Sequence, residues 1–144
     1  MILPTVVVVG FAWDVAAAAV HREEGSTVLL WQPAPCVLVT RVVGPGTLTC
    51  LQFYIDHAER AMRSGRLRVF HDWAGLTRYE PPARDLLKRW GAAHNADFVR
   101  VSYLVGSKVI AMLISVAAMS MGRELRATTD RRQFLADLEA TLTP

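Results

Sequence analysis

The chain has 144 residues, 52% of them hydrophobic and 20% charged, a composition that excludes a disordered or fibrous protein and suits one domain with its own core. Its 16 basic and 13 acidic residues leave a formal charge of only +3, and the basic ones, among them Arg63, Arg84, Lys88, Arg123 and Arg132, are spread along the chain rather than gathered in a stripe, so nucleic acid is not an expected partner. Cys36 and Cys50 have neither the paired spacing of a zinc site nor a CxxC redox motif; they read as small buried hydrophobes in a reducing compartment.

In chain order, residues 1 to 26 read as an N-terminal extension of uncertain structure and residues 27 to 144 as the domain. Within the extension "TVVVV" suits a strand and "WDVAAAAVHREE" a helix. The apolar run at 5 to 20 carries Asp14 and has no basic residue before it, unlike a signal peptide. "TVLLW" at 27 to 31 and "CVLVTRVVG" at 36 to 44 read as strands of one hairpin, broken by "QPAP". "GPG" at 44 to 46 is expected to end that pairing. Thr47 offers an N-cap to a helix whose apolar stripe is Leu48, Leu51, Ile55, Ala58 and Met62, with Gly65 placed to stop it.

"LRVFHDW" begins a third strand. Pro81 and Pro82 suit the first turn of a second helix, with Ala83, Leu86, Leu87, Trp90 and Ala93 as its buried face. "VRVSYLVG" at 99 to 106 is a fourth strand, and Ser107 caps a third helix that is apolar on all sides. That helix, around "VIAMLISVAAM" at 109 to 119, is shorter than the roughly 20 residues a membrane span needs, so no span is expected. "ELRATT" at 124 to 129 suits a last strand. Asp130 with Gln133 resembles a capping box ahead of Phe134, Leu135, Leu138 and Leu142.

This order predicts a single α/β domain: a mostly parallel central sheet of four to five strands, an opening hairpin and about four helices. Ligands and partners of such sheets meet the carboxyl ends of the strands, where His71, Asp72 and Ser107 should lie. His71 and Asp72 are neighbours on a strand and should point to opposite faces, which disfavours an acid–base pair. The chain has no GxSxG, HExxH or GxxxxGK[ST] motif. Asp56 and His57 read as part of a solvated face of the first helix, and His21 and His94 have no metal-spaced partner in sequence. No catalytic residue, metal or cofactor is therefore expected. Met112, Met119 and Met121 read as core fillers, and "GSKV" at 106 to 109 reads as helix capping with some capacity for an anion.

The hairpin, "GTLTCLQFYIDHAERAMRSGRLRVFHDWAGL", the helix at 81 to 94, "VRVSYLVGSKVIAM" and "LRATTDRRQFLADL" together resemble the STAS family, named for sulfate transporters and anti-sigma-factor antagonists. They are most similar to its bacterial branch that shares features with CRAL-TRIO lipid carriers. The resemblance covers roughly residues 27 to 142. It implies a non-enzymatic module that binds partner proteins or small ligands. In the anti-sigma antagonists a serine or threonine at the start of the helix after the third strand is phosphorylated. Here the matching "DWAGLTRYEPPARDLL" has no Asp-Ser-Ser-Gly run, and only Thr77 and Tyr79 carry hydroxyls near that point.

The expected function is that of a cytoplasmic regulatory or scaffold module binding another protein, as a homodimer whose second copy covers the apolar third helix. The expected surface comprises Asp72, Trp73, Thr77, Tyr79, Arg84, Ser107 and Lys108, in a strand-to-helix loop and the helix start beside it. The alternative is a carrier or sensor of a small apolar or anionic ligand such as a lipid, held between sheet and helices.

Overall fold

The computed structural model describes residues 5–8, 11–14, 18–108, 110–112 and 124–143. Strands β1 (Thr5–Val8) and β2 (Phe11–Asp14) form a separate antiparallel pair. The main sheet holds six strands in chain order: β3 (Ala19–Glu23), β4 (Ser26–Ala34), β5 (Val37–Gly46), β6 (Leu67–Tyr79), β7 (Phe98–Leu104) and β8 (Leu125–Thr128). The β3–β4 and β4–β5 pairings are antiparallel, and the remaining three are parallel. Helices α1 (Leu48–Ala61) and α2 (Pro81–Ala93) supply the crossovers on one face, and α3 (Arg131–Leu142) packs on the other.

Strand alternation explains the two layers. Along β5, Leu38 faces the α1/α2 core with Leu51, Tyr54, Ile55 and Ala58, whereas Val39 faces the α3 core with Phe134, Leu135 and Leu138. Successive side chains of a strand point to opposite faces, so a strand buried on both sides reads as a continuous apolar run. β6 repeats this with Val69 and Phe70, each 1% exposed or less. Burying such a side chain fully contributes about 1.5–3 kcal/mol.

The helices start where their caps direct. Thr47 Oγ1 accepts the Cys50 N–H at 3.1 Å, and Glu80 Oε1 accepts the Leu48 N–H at 3.2 Å, so α1 begins with two of its orphan donors satisfied. Asp130 accepts the Arg132 and Gln133 N–H groups at the start of α3. Ser107 C=O accepts the Ala111 N–H, opening a further helix whose described part reaches residue 112. The apolar character expected all round that helix, with Met119 and Met121, falls outside the described residues. Among the described residues no helix is long and apolar enough to cross a membrane.

Two expectations need correction. The segment 13 to 24 is not helical in its described parts: Ala19–Glu23 is the edge strand β3, so the sheet has six strands rather than four or five. A two-residue turn at Glu24–Gly25, with Gly25 at φ 80°, returns the chain into β4, and pairing with a neighbouring strand outweighs the helix propensity of alanine. The second correction concerns "DWAGLTRYE". β6 runs on to Tyr79, so this stretch is an extended strand and not a loop. Its partner is "GPG" itself: Gly44 pairs with Leu76 and Gly46 with Tyr79, in a ladder shifted by two irregularities. Gly44, at φ 91°, permits this, because a Cβ there would collide with the Gly25 carbonyl of the β3–β4 turn.

Candidate functional site

The carboxyl-terminal half of β6 carries different chemistry on its two faces. On the α1/α2 face, His71 lies across from Thr40 on β5 and Tyr103 on β7. Its Nδ1 is 2.7 Å from Thr40 Oγ1. Tyr103 stacks on its ring at 5.1 Å and Tyr54 meets it edge-on at 4.8 Å. Trp73, two residues on, follows on the same face, 5.1 Å from His71 and 4.8 Å from Tyr103. Tyr79 closes the column edge-on to Trp73 at 5.4 Å. Each favourable aromatic pair adds about 0.5–1.5 kcal/mol beyond area burial.

Burial governs the protonation of this column. The His71 pKa is pushed down to about 3 because the ring is buried away from water, so the imidazole is neutral at pH 7. Burial also drives the Tyr79 phenol well above its ordinary value, with smaller contributions from Tyr103 and Cys50. A cavity of about 30 Å³ lies among Thr40, Tyr54, His71, Trp73, Tyr79 and Leu87. That is room for a water or two.

On the opposite face, Asp72 is 2% exposed. Its Oδ2 accepts from Arg41 Nε at 3.0 Å and Arg131 Nη1 at 2.8 Å, and its Oδ1 accepts the Ala74 N–H at 3.2 Å. The carboxylate thus ties β5, β6 and α3 together. As the alternation of the strand predicts, His71 and Asp72 face apart and form no acid–base pair.

The residues singled out from sequence are therefore distributed. Trp73 and Tyr79 come together in the aromatic column. Asp72 lies on the other face, buried under two arginines. Thr77 is exposed on the β6 extension, and Arg84 is exposed in the first turn of α2. Ser107, half-buried, and Lys108, exposed, follow the end of β7, whose last residue Leu104 pairs with Asp72. The start of α2 makes a poor anion cradle. Pro81 and Pro82 occupy its first two positions and contribute no N–H, and the Arg84 N–H bonds to Glu80 O.

A second group joins β3 to the start of α1. Glu23 Oε1 accepts from Thr47 Oγ1 at 2.6 Å and Thr49 Oγ1 at 2.7 Å, and it lies 3.1 Å from both Cys50 Sγ and His21 Nε2. The threonine and cysteine bonds, with His21 adding less, pull the Glu23 pKa down to about 2. The His21 ring rests against Phe53 at 5.4 Å. Sequence spacing missed this group because Glu23 and Cys50 are 27 residues apart. The available signal was His21 and Glu23 at i and i+2, which share a face only if the segment is a strand.

No family model matches the chain, and no curated protein does. Among solved structures it is similar to an uncharacterized protein of the DUF3478 family, with a SpoIIAA-like fold, from Shewanella loihica PV-4. The TM-score is 0.62 and the identity 18%, over 85% of this chain and 92% of that one. The chain therefore has a SpoIIAA-like fold, the fold of STAS and anti-sigma-factor antagonist domains.

Proposed function

We propose that this chain is a regulatory or scaffold module that binds another protein and catalyses no reaction. The binding edge comprises the end of β6, the first turn of α2 and the turn after β7. One observation carries this reading: an exposed strand end, bearing Thr77, is backed by a packed aromatic column whose interior volume is only about 30 Å³. Small-molecule sites usually enclose roughly 300–1,000 Å³, so a protein surface suits this edge better than an enclosed substrate. Trp73 and Tyr79 form the apolar centre, Thr77, Arg84, Ser107 and Lys108 the polar rim, and Asp72 holds the strand beneath them. The fold supports a module of this type.

The test uses exposed positions. Arg84→Glu and Lys108→Glu should leave the fold intact, since such surface changes stay within about 0.5 kcal/mol, and should weaken recovery of the partner in a cross-linked pull-down. Equal recovery by wild type and the double variant would remove the proposal. A carrier of a small apolar ligand is the second reading, favoured by the apolar lining of the cavity. It requires the column to open, and native mass spectrometry would show it as extra mass lost on denaturation.

A further inference from the structure

The β3–α1 junction holds a group of side chains that the proposed recognition edge does not use. His21 Nε2, Glu23 Oε1 and Cys50 Sγ all lie within 4.8 Å of one another. We propose that these three atoms bind one divalent transition metal of the zinc class. The ligand set is one nitrogen, one carboxylate oxygen and one sulfur, which suits zinc or cobalt(II) and not the all-oxygen shells of calcium and magnesium. In a tetrahedral zinc site with bonds of about 2.0–2.3 Å, ligand atoms sit roughly 3.3–3.7 Å apart. The two Glu23 separations of 3.1 Å fall just below that range, and His21 and Cys50 lie within 4.8 Å, so side-chain rotation must open the first two contacts and bring the histidine and cysteine to ligand spacing.

The hydrogen bonding points the same way. Four polar side-chain atoms, from His21, Thr47, Thr49 and Cys50, lie within 3.1 Å of the single oxygen Oε1 of Glu23, whereas a carboxylate oxygen offers about two lone pairs. A cation between Nε2, Oε1 and Sγ replaces the histidine and cysteine contacts with bonds. It leaves the Thr47 and Thr49 hydroxyls to orient the carboxylate from outside, as the outer partners of metal ligands do. The Phe53 ring lies beside the His21 ring, 5.4 Å between centroids. The His21 and Glu23 side chains are 26% and 29% exposed, so a path from solvent exists. The Cys50 thiol loses its proton to solvent as the sulfur–metal bond forms. Three protein ligands leave a fourth position for water. The ion would clasp the edge hairpin to the start of α1, beside the cavity that Thr47 and Cys50 also line.

Cobalt(II) is the probe. The 144-residue chain, stripped with a chelator and titrated with cobalt(II), should show a saturable one-to-one complex with a thiolate-to-cobalt charge-transfer band in the near ultraviolet, abolished by added zinc. The band should disappear in Cys50→Ser and persist in Cys36→Ser. His21→Gln and Glu23→Gln should each bind more weakly by roughly ten-fold or more. Absence of the band at excess cobalt, or a band that follows Cys36, would overturn the proposal. Should Cys50→Ser not fold by circular dichroism, Glu23→Gln decides: it preserves the shape of the side chain, and unchanged cobalt affinity would exclude the site.

Discussion

His71 and Asp72 are adjacent, both almost fully buried, and solvated by different means. His71 is accommodated by staying neutral, Asp72 by pairing with Arg41 and Arg131. The folded-state pKa of His71 is depressed from 6.5 to about 3, so between those values the unfolded chain binds more protons than the native one. The stability this group contributes is complete above about pH 6.5 and declines as the pH falls toward 3. Glu23 acts lower: depressed from 4.5 to about 2, its contribution is present above 4.5 and lost as pH falls toward 2. Urea denaturation at stepped pH should therefore show stability falling below about pH 6.5, and His71→Gln should flatten the upper part of that decline. An unchanged profile would mean that the ring is not sealed from water. Asp72→Asn should cost about 2–3 kcal/mol. Breaking a buried pair costs about 3–5 kcal/mol, reduced here because the two arginine side chains are 21% and 35% exposed.

Elements are joined through their ends. The start of α1 receives Thr47 from its own chain, Glu80 from the end of β6, and the Glu23 group from β3. Thr47→Ala removes both the cap and a donor to Glu23, and should lower the stability by about 1–2 kcal/mol in a denaturant titration. A smaller change would mean that Glu80 alone caps the helix. Gly44→Ala meets both a positive φ and the Gly25 carbonyl. It should destabilise by about 1–3 kcal/mol and expose the edge hairpin to early hydrogen exchange. The long β6 follows from the same junction, because the "GPG" run supplies the backbone partners that keep residues 76 to 79 extended.

At the scale of the whole molecule, the sheet has an antiparallel half on β3–β5 and a parallel half on β5–β8. Ile110 and Met112 are 48% and 60% exposed at the start of the helix after β7, and Val43 is 50% exposed on β5. A homodimer that covers such residues remains the proposed assembly. Sedimentation should return twice the chain mass of 15.9 kDa, and Met112→Lys should shift the species toward monomer. A single monomeric species at all concentrations would sink that assembly.

Apolar periodicity and capping residues were enough to determine α1, α2 and α3 and the parallel strands that α1 and α2 connect, because these depend on local spacing: Leu51, Ile55 and Ala58 on one helical stripe, Thr47 and Asp130 at the starts. The opposed faces of His71 and Asp72 were legible for the same reason, since alternation is a local property of a strand. Only the tertiary structure decided that Ala19–Glu23 is a strand, because its pairing with β4 is not a property of local spacing. It alone decided that 74 to 79 extend β6 and that Asp72 lies beneath two arginines, away from the column of Trp73 and Tyr79. It also brought His21 and Glu23 against Cys50. Those contacts join residues far apart in the chain, and no sequence period encodes a distance that only the packing of one element on another creates.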